Sequence, residues 1–78
     1  MKVYVLQSLI NQNQYVGMSK DPQRRLEEHN SGKVKSTQSK RPWKIIYSEE
    51  FETRPEARVR EKYLKSAAGR RFRKTMGY

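Results

Sequence analysis

With 78 residues, no cysteine and three prolines, the chain has room for one compact domain and too little for two independent cores. Eighteen Lys and Arg against eight acids give a formal charge of +10 and a pI near 10.2, a balance that points to a polyanionic partner, nucleic acid first. Disulfides and thiolate metal sites are excluded, and no apolar run approaches the ~20 residues of a membrane-spanning helix.

Leu, Ile, Val and Phe number 14 of the 78 residues, a share that on its own favours disorder. Local pattern opposes that, because the apolar residues fall into short runs separated by turn and cap signals. The expectation is therefore one domain over residues 1–78 with a small core. The N-terminus lacks a secretory apolar stretch, and no basic segment alternates with a strong apolar face, so the expected location is the cytoplasm, away from membranes.

In chain order, Val3 to Leu9 alternate and carry β-branched and aromatic side chains, Asn11-Gln12-Asn13 supplies turn chemistry, and Gln14 to Met18 reads as a second strand. Asp21 is placed to cap a helix with Pro22 at its first position, ending near Asn30-Ser31-Gly32, where Gly32 supplies a left-handed cap. Lys33 to Pro42 is polar and basic apart from Val34, and reads as a mobile surface loop. Trp43 to Ser48 is a third strand, bulky enough for the sheet centre or for packing under a helix. Thr53-Arg54-Pro55-Glu56 has capping-box spacing and announces a helix from about Arg54 to Ser66; Gly69 interrupts, and a short basic helix continues to about Thr75.

Arg25 and His29 are four residues apart and share a helix face, with Leu26 directed to the core and Arg24, Glu27 and Glu28 outward or along the flanks. A guanidinium does not deprotonate at neutral pH, so Arg25 serves only to stabilise an anion, such as a phosphoryl group at its transition state. His29 can shuttle a proton or hold a water. The plainer reading is a solvated arginine and a histidine answering the helix dipole.

On the next helix Ala57, Glu61, Leu64 and Ala68 follow helical spacing, so Glu61 interrupts an apolar stripe. A carboxylate there is suited to one Mg²⁺, whose shell waters and substrate oxygens complete; the alternative is an ion pair with Lys65 or Arg58. Tyr4 and Tyr15 lie in paired strands and act as bases only if cations such as Arg25 lower their ordinary pKa of about 10; otherwise they are packing residues. Gly17 either allows a close approach or serves a turn. Lys33, Lys35, Lys40, Arg41 and Lys44, then Arg70, Arg71, Arg73 and Lys74, are suited to phosphate contacts, with Ser36, Thr37, Gln38 and Ser39 adding neutral donors; a solvated basic surface is the alternative.

In order and spacing, Lys2-Val3-Tyr4, Tyr15-Val16-Gly17, Asp21 to Gly32, Lys33 to Thr37, Arg41-Pro42-Trp43 and Arg60 to Lys65 resemble the GIY-YIG nuclease superfamily, in particular its small stand-alone members and the nuclease module of UvrC-type excinucleases. The resemblance implies an α+β fold, a three-stranded antiparallel sheet flanked by helices in the order β-β-α-β-α-(α), with Tyr4, Tyr15, Arg25, His29 and Glu61 converging on one face. It implies hydrolysis of DNA phosphodiesters, in repair or recombination, with one Mg²⁺ or Mn²⁺ on Glu61. Arg25 would stabilise the phosphate, Tyr4 would act as base or position water, and Tyr15 and His29 would assist. RNA is the other nucleic acid the charge admits. Lys2 stands where the motif has glycine, and the short chain leaves no room for a recognition domain, so weak, unselective binding or a targeting protein partner is expected. The competing expectation is a nucleic-acid-binding module that keeps the fold without cutting.

Overall fold

The computed structural model describes residues 1–76; residues 77 and 78 of the expected domain lie outside the described residues. Strand β1 (Lys2–Ser8) pairs antiparallel with β2 (Gln14–Ser19), Tyr4 opposite Gly17 and Leu6 opposite Tyr15. Its other edge pairs antiparallel with β3 (Trp43–Glu50), with an irregularity in register between Val5 and Leu6. The sheet order is β2-β1-β3. The centre is thus β1, not the bulkier third strand, because β1 has six consecutive buried residues whereas β3 is largely half-buried or exposed.

Helix α1 (Pro22–Asn30) starts as its cap chemistry requires: the Asp21 carboxylate accepts from the Arg24 amide at 3.2 Å, and Pro22 occupies the first turn. At its end Gly32 takes φ +87°, the left-handed conformation expected of it. Helix α2 (Arg54–Lys65) carries the complete capping box between Thr53 and Glu56. Helix α3 (Ala67–Lys74) follows after the single residue Ser66, whose hydroxyl accepts from the Gly69 amide at 3.1 Å.

Two expectations about this corner change. The break falls at Ser66 rather than Gly69, and Gly69 lies inside α3, where a Cβ would run into the Tyr63 carbonyl oxygen and the Leu64 backbone. Glycine is there because two helices turn tightly against each other. Ala68 is exposed, so the apolar stripe of α2 stops at Leu64.

β1 sends alternate side chains to opposite faces. Val3 and Val5 join Val16, Ala57 and Leu64 under α2; Tyr4 and Leu6 join Trp43, with Tyr15, Leu26 and Ile45 packed around them on the α1 side. The architecture is the expected α+β arrangement of a three-stranded antiparallel sheet with helices against it.

Candidate active site

The site begins with a missing side chain. Tyr4 is 1% exposed and lies across Gly17 on the neighbouring strand, where a Cβ would stand 2.6 Å from the Tyr4 hydroxyl oxygen and 3.1 Å from the Tyr15 ring. Gly17 therefore makes room for a phenol, a close approach by a side chain of the chain itself. Tyr15, two residues before Gly17 on the same face, has its ring centroid 6.4 Å from that of Tyr4.

Helix α1 closes this pair from above. The Arg25 guanidinium sits near the Tyr4 hydroxyl, where its charge favours the ionised phenol, and pairs with Glu28 one turn on. Burial nevertheless pushes the Tyr4 pKa above its ordinary value, outweighing the pull of Arg25 in the other direction. The condition set for Tyr4 to act as a base, a phenol lowered by nearby cations, is not met in this structure: at neutral pH Tyr4 is a protonated hydroxyl.

His29 lies beneath Tyr15, their ring centroids 4.7 Å apart, and is 0% exposed. Its Nδ1 is 2.8 Å from the Thr37 hydroxyl, which itself donates to the Val34 carbonyl at 3.2 Å. With the single hydroxyl proton directed to Val34, the consistent tautomer has Nδ1–H of His29 donating to Thr37 and the lone pair on Nε2. Nε2 is buried without a hydrogen-bond partner among the described residues. Burial, then the Arg25 charge, push the His29 pKa below its ordinary value, with Glu28 opposing. The imidazole is thus neutral and buried against the Tyr15 ring.

Among the described residues, Glu61 shares no hydrogen bond or ion pair with these four. It sits on α2, the helix packed against the other sheet face, with its side chain 15% exposed. Among the described residues its ion-pair partners are Lys65 at 3.2 Å and Arg58 at 3.7 Å, the two alternatives weighed from the sequence. Direct contacts thus join Tyr4, Tyr15, Arg25 and His29, while none of the hydrogen bonds or ion pairs of Glu61 reaches them.

The basic residues divide into two groups. Lys33 and Lys35 are exposed after α1, Lys44 is exposed on β3, Arg41 folds over Gly32 and donates to the Gln38 carbonyl at 2.9 Å, and the Lys40 carbonyl accepts from Ser8 at 2.7 Å. Arg70 and Arg71 are exposed on α3.

The segment read as a free loop is folded onto the site. It contains a short 3-10 turn at Gln38–Lys40, Thr37 is 2% exposed, and the Trp43 indole donates to the Thr37 carbonyl at 3.0 Å. Asn30 accepts from the Trp43 amide at 2.7 Å and donates to its carbonyl at 3.0 Å, tying the end of α1 to the start of β3. Thr37, expected as a neutral donor to phosphate, is instead buried with its hydroxyl engaged by His29 and Val34, and Asn30 is a site residue that sequence reasoning missed. The signal was slight: a polar residue in a polar stretch has no period to mark it as buried.

A family model for the GIY-YIG catalytic domain matches residues 1–75. The chain belongs to the GIY-YIG family. The chain is similar to a UPF0213 protein of Listeria innocua, 44% identical over 63 residues, covering 80% of this chain and 69% of that protein. It is also similar to UPF0213 proteins of Staphylococcus saprophyticus, 40% identical, and Staphylococcus aureus strain Mu3, 42% identical, each over 53 residues. Those two matches cover 67% of this chain and 65% of each staphylococcal protein, so the chain spans just under two thirds of their length. No solved structure matches the chain. Within this GIY-YIG fold, no described helix is long and apolar enough to cross a membrane.

Proposed function

We propose that this GIY-YIG protein is a metal-dependent endonuclease that hydrolyses DNA phosphodiester bonds in repair or recombination. The observation that carries the reading is the Arg25 guanidinium near the Tyr4 hydroxyl beside Tyr15, in the space that Gly17 leaves open. Such an array places a fixed positive charge and a neutral hydroxyl donor together, which is what a phosphoryl group gaining charge requires.

Among the described residues there is no cluster of three or more His, Asp or Glu side chains, which rules out an all-protein metal cage. A hard Mg²⁺ that keeps most of its waters needs one or two carboxylates and substrate oxygens, and Glu61 meets that need. Its two ion-pair partners are mostly exposed, and pairs of that kind are worth about 0.5 kcal/mol each, so they yield to a divalent ion. Glu61 would hold the metal, Mg²⁺ or Mn²⁺, which when bound supplies Lewis acidity at the phosphoryl group. Arg25 stabilises charge on the non-bridging oxygens. Tyr4, kept protonated, orients the attacking water. Tyr15 holds its place over His29, and His29 through Thr37 keeps Tyr15 from moving.

A second reading, a module that binds nucleic acid without cutting it, is favoured by the carboxylate of Glu61 being already engaged by two cations. One experiment separates the two. Purified protein is incubated with supercoiled, branched and single-stranded DNA with Mg²⁺ or Mn²⁺, with and without chelator. We expect nicking that chelation abolishes and that Arg25→Ala and Glu61→Gln each lower by about a hundredfold or more. Undiminished cutting in either variant overturns the role given to that residue. Salt-steep binding without cutting by the wild type establishes the second reading.

A further inference from the structure

The β2 edge, α3 and the end of α2 border two adjoining open hollows of about 280 and 360 Å³. Between them they are lined by Gln12, Asn13, Gln14, Tyr15, Val16, Lys65, Arg70, Arg73 and Lys74, so four cations and no carboxylate border a space that begins at a site tyrosine. Arg73 is built in rather than waving in solvent: its Nε donates to the Leu64 carbonyl at 2.8 Å and its Nη1 to the Gln14 side chain at 2.9 Å. Gln14 in turn donates to the Arg73 carbonyl at 3.1 Å, which locks α3 to the start of β2.

Arg70 and Lys74 have no ion pair among the described residues, and both are exposed. Arg70 presses on Arg73 with like charge; with burial as the larger cause, that pushes the Arg73 guanidinium below its ordinary pKa. A fold that gathers like charges around a hollow and fixes one of them with neutral acceptors leaves the electrostatic strain to be relieved by an anion from outside. The other basic group differs in kind. Arg41 is turned onto Gly32 and the Gln38 carbonyl, and Lys33 borders a hollow that also contains Glu27 and Glu28.

From this arrangement we propose that the trough between β2 and α3 is a phosphate-binding track, in which Lys65, Arg70, Arg73 and Lys74 hold successive phosphates of a nucleic-acid strand leading to Tyr15. The strand is thereby carried along the last helix, and the Lys33 to Lys44 segment is left outside the main contact. The inference rests on the nuclease reading for the identity of the strand, but binding to the track does not need cutting. Backbone contact of this kind carries no base preference.

The test measures binding of a fluorescein-labelled short DNA duplex and of the matching single strand by anisotropy, in chelator, over a range of salt. Arg70→Ala and Lys74→Ala are the informative variants, because both side chains are exposed and unpaired; Lys33→Ala and Lys35→Ala are the comparison. One lost phosphate contact lowers the salt slope by about 0.9 and weakens binding roughly eightfold near 0.1 M salt. We expect that loss in each α3 variant, a larger one in the double variant, and little change in the comparison pair. Wild-type affinity in the α3 double variant, the reverse ranking, or no binding by the wild type overturns the track. Cutting by a wild type whose α3 double variant binds normally leaves the nuclease reading standing and removes only this inference, whereas α3-dependent binding without cutting keeps the track and removes the nuclease.

Discussion

On the α2 side of the sheet Val3, Val5, Val16, Ala57 and Leu64 meet as hydrocarbon, whereas on the α1 side the buried groups include Tyr4, His29, Thr37 and Trp43, each with polar atoms to satisfy. The first face gains stability without direction, since apolar burial scales with area. The second is held by directed bonds: His29 to Thr37, Trp43 to Thr37, Asn30 to Trp43, Arg25 to Glu28. The contrast teaches that stability and site geometry are carried by opposite faces of one three-stranded sheet. Substitutions on the two faces should fail in different ways.

The largest expected effect is on the apolar face. Leu64 is fully buried at the end of the α2 stripe, and Leu64→Ala should lower the unfolding free energy by about 3 kcal/mol, within the 2–5 kcal/mol typical of such truncations, measured by urea denaturation. In a domain this small that is much of the total, yet any activity per folded molecule should persist. A cost below about 1 kcal/mol would mean that the α2 face does not carry the stability assigned to it.

A smaller effect, of another kind, is expected at Thr37. Thr37→Val keeps the shape of the side chain and leaves the buried Nδ1–H of His29 without an acceptor, at a cost of about 1–3 kcal/mol, while Thr37→Ser should behave as wild type. The chain has one histidine, so its imidazole nitrogen resonances report the tautomer without overlap. We expect the Nδ1–H form in the wild type and in Thr37→Ser, and its loss in Thr37→Val. A wild-type imidazole protonated at Nε2 would break the proposed chain of support from Thr37 to Tyr15.

The same division explains what the sequence disclosed. Helix starts at Asp21-Pro22 and Thr53 to Glu56 were legible because capping is local chemistry, and the hairpin because alternation is local. Motif order groups Tyr4, Tyr15, Arg25, His29 and Glu61; the first four lie together in the structure, while among the described residues the ion pairs of Glu61 go to Arg58 and Lys65. The sequence leaves the central strand open, because bulk in Trp43 to Ser48 fits the sheet centre or packing under a helix equally, and which strand has two neighbours is settled by where the chain returns. Gly69 looked like a helix breaker because propensity ignores the approach of α2. The shifts at Tyr4 and His29 follow from burial of polar groups, a tertiary property, and the burial of Thr37 was invisible for the same reason.

The smallest effect concerns pH and sharpens the contrast from the polar side. Burial and the Arg25 charge hold His29 below its ordinary pKa of about 6.5, so as pH falls through that value the unfolded chain takes up a proton that the folded one refuses. Protons then favour the unfolded state, and stability must fall as pH drops, by at most about 1.4 kcal/mol per pH unit for one site. Between about pH 7 and 5.5 few other side chains titrate, since ordinary carboxylates do so lower and only one histidine is present. The groups facing the imidazole are Arg25 and Glu28 on α1, Tyr15 on β2 and Thr37 from the connecting segment. Urea unfolding at several pH values should show this decline, and Arg25→Ala, by removing a like charge, should make it shallower. Stability that stays flat or rises over the same range would mean that His29 accepts a proton in the folded state, which would return it from a support for Tyr15 to a group able to exchange protons.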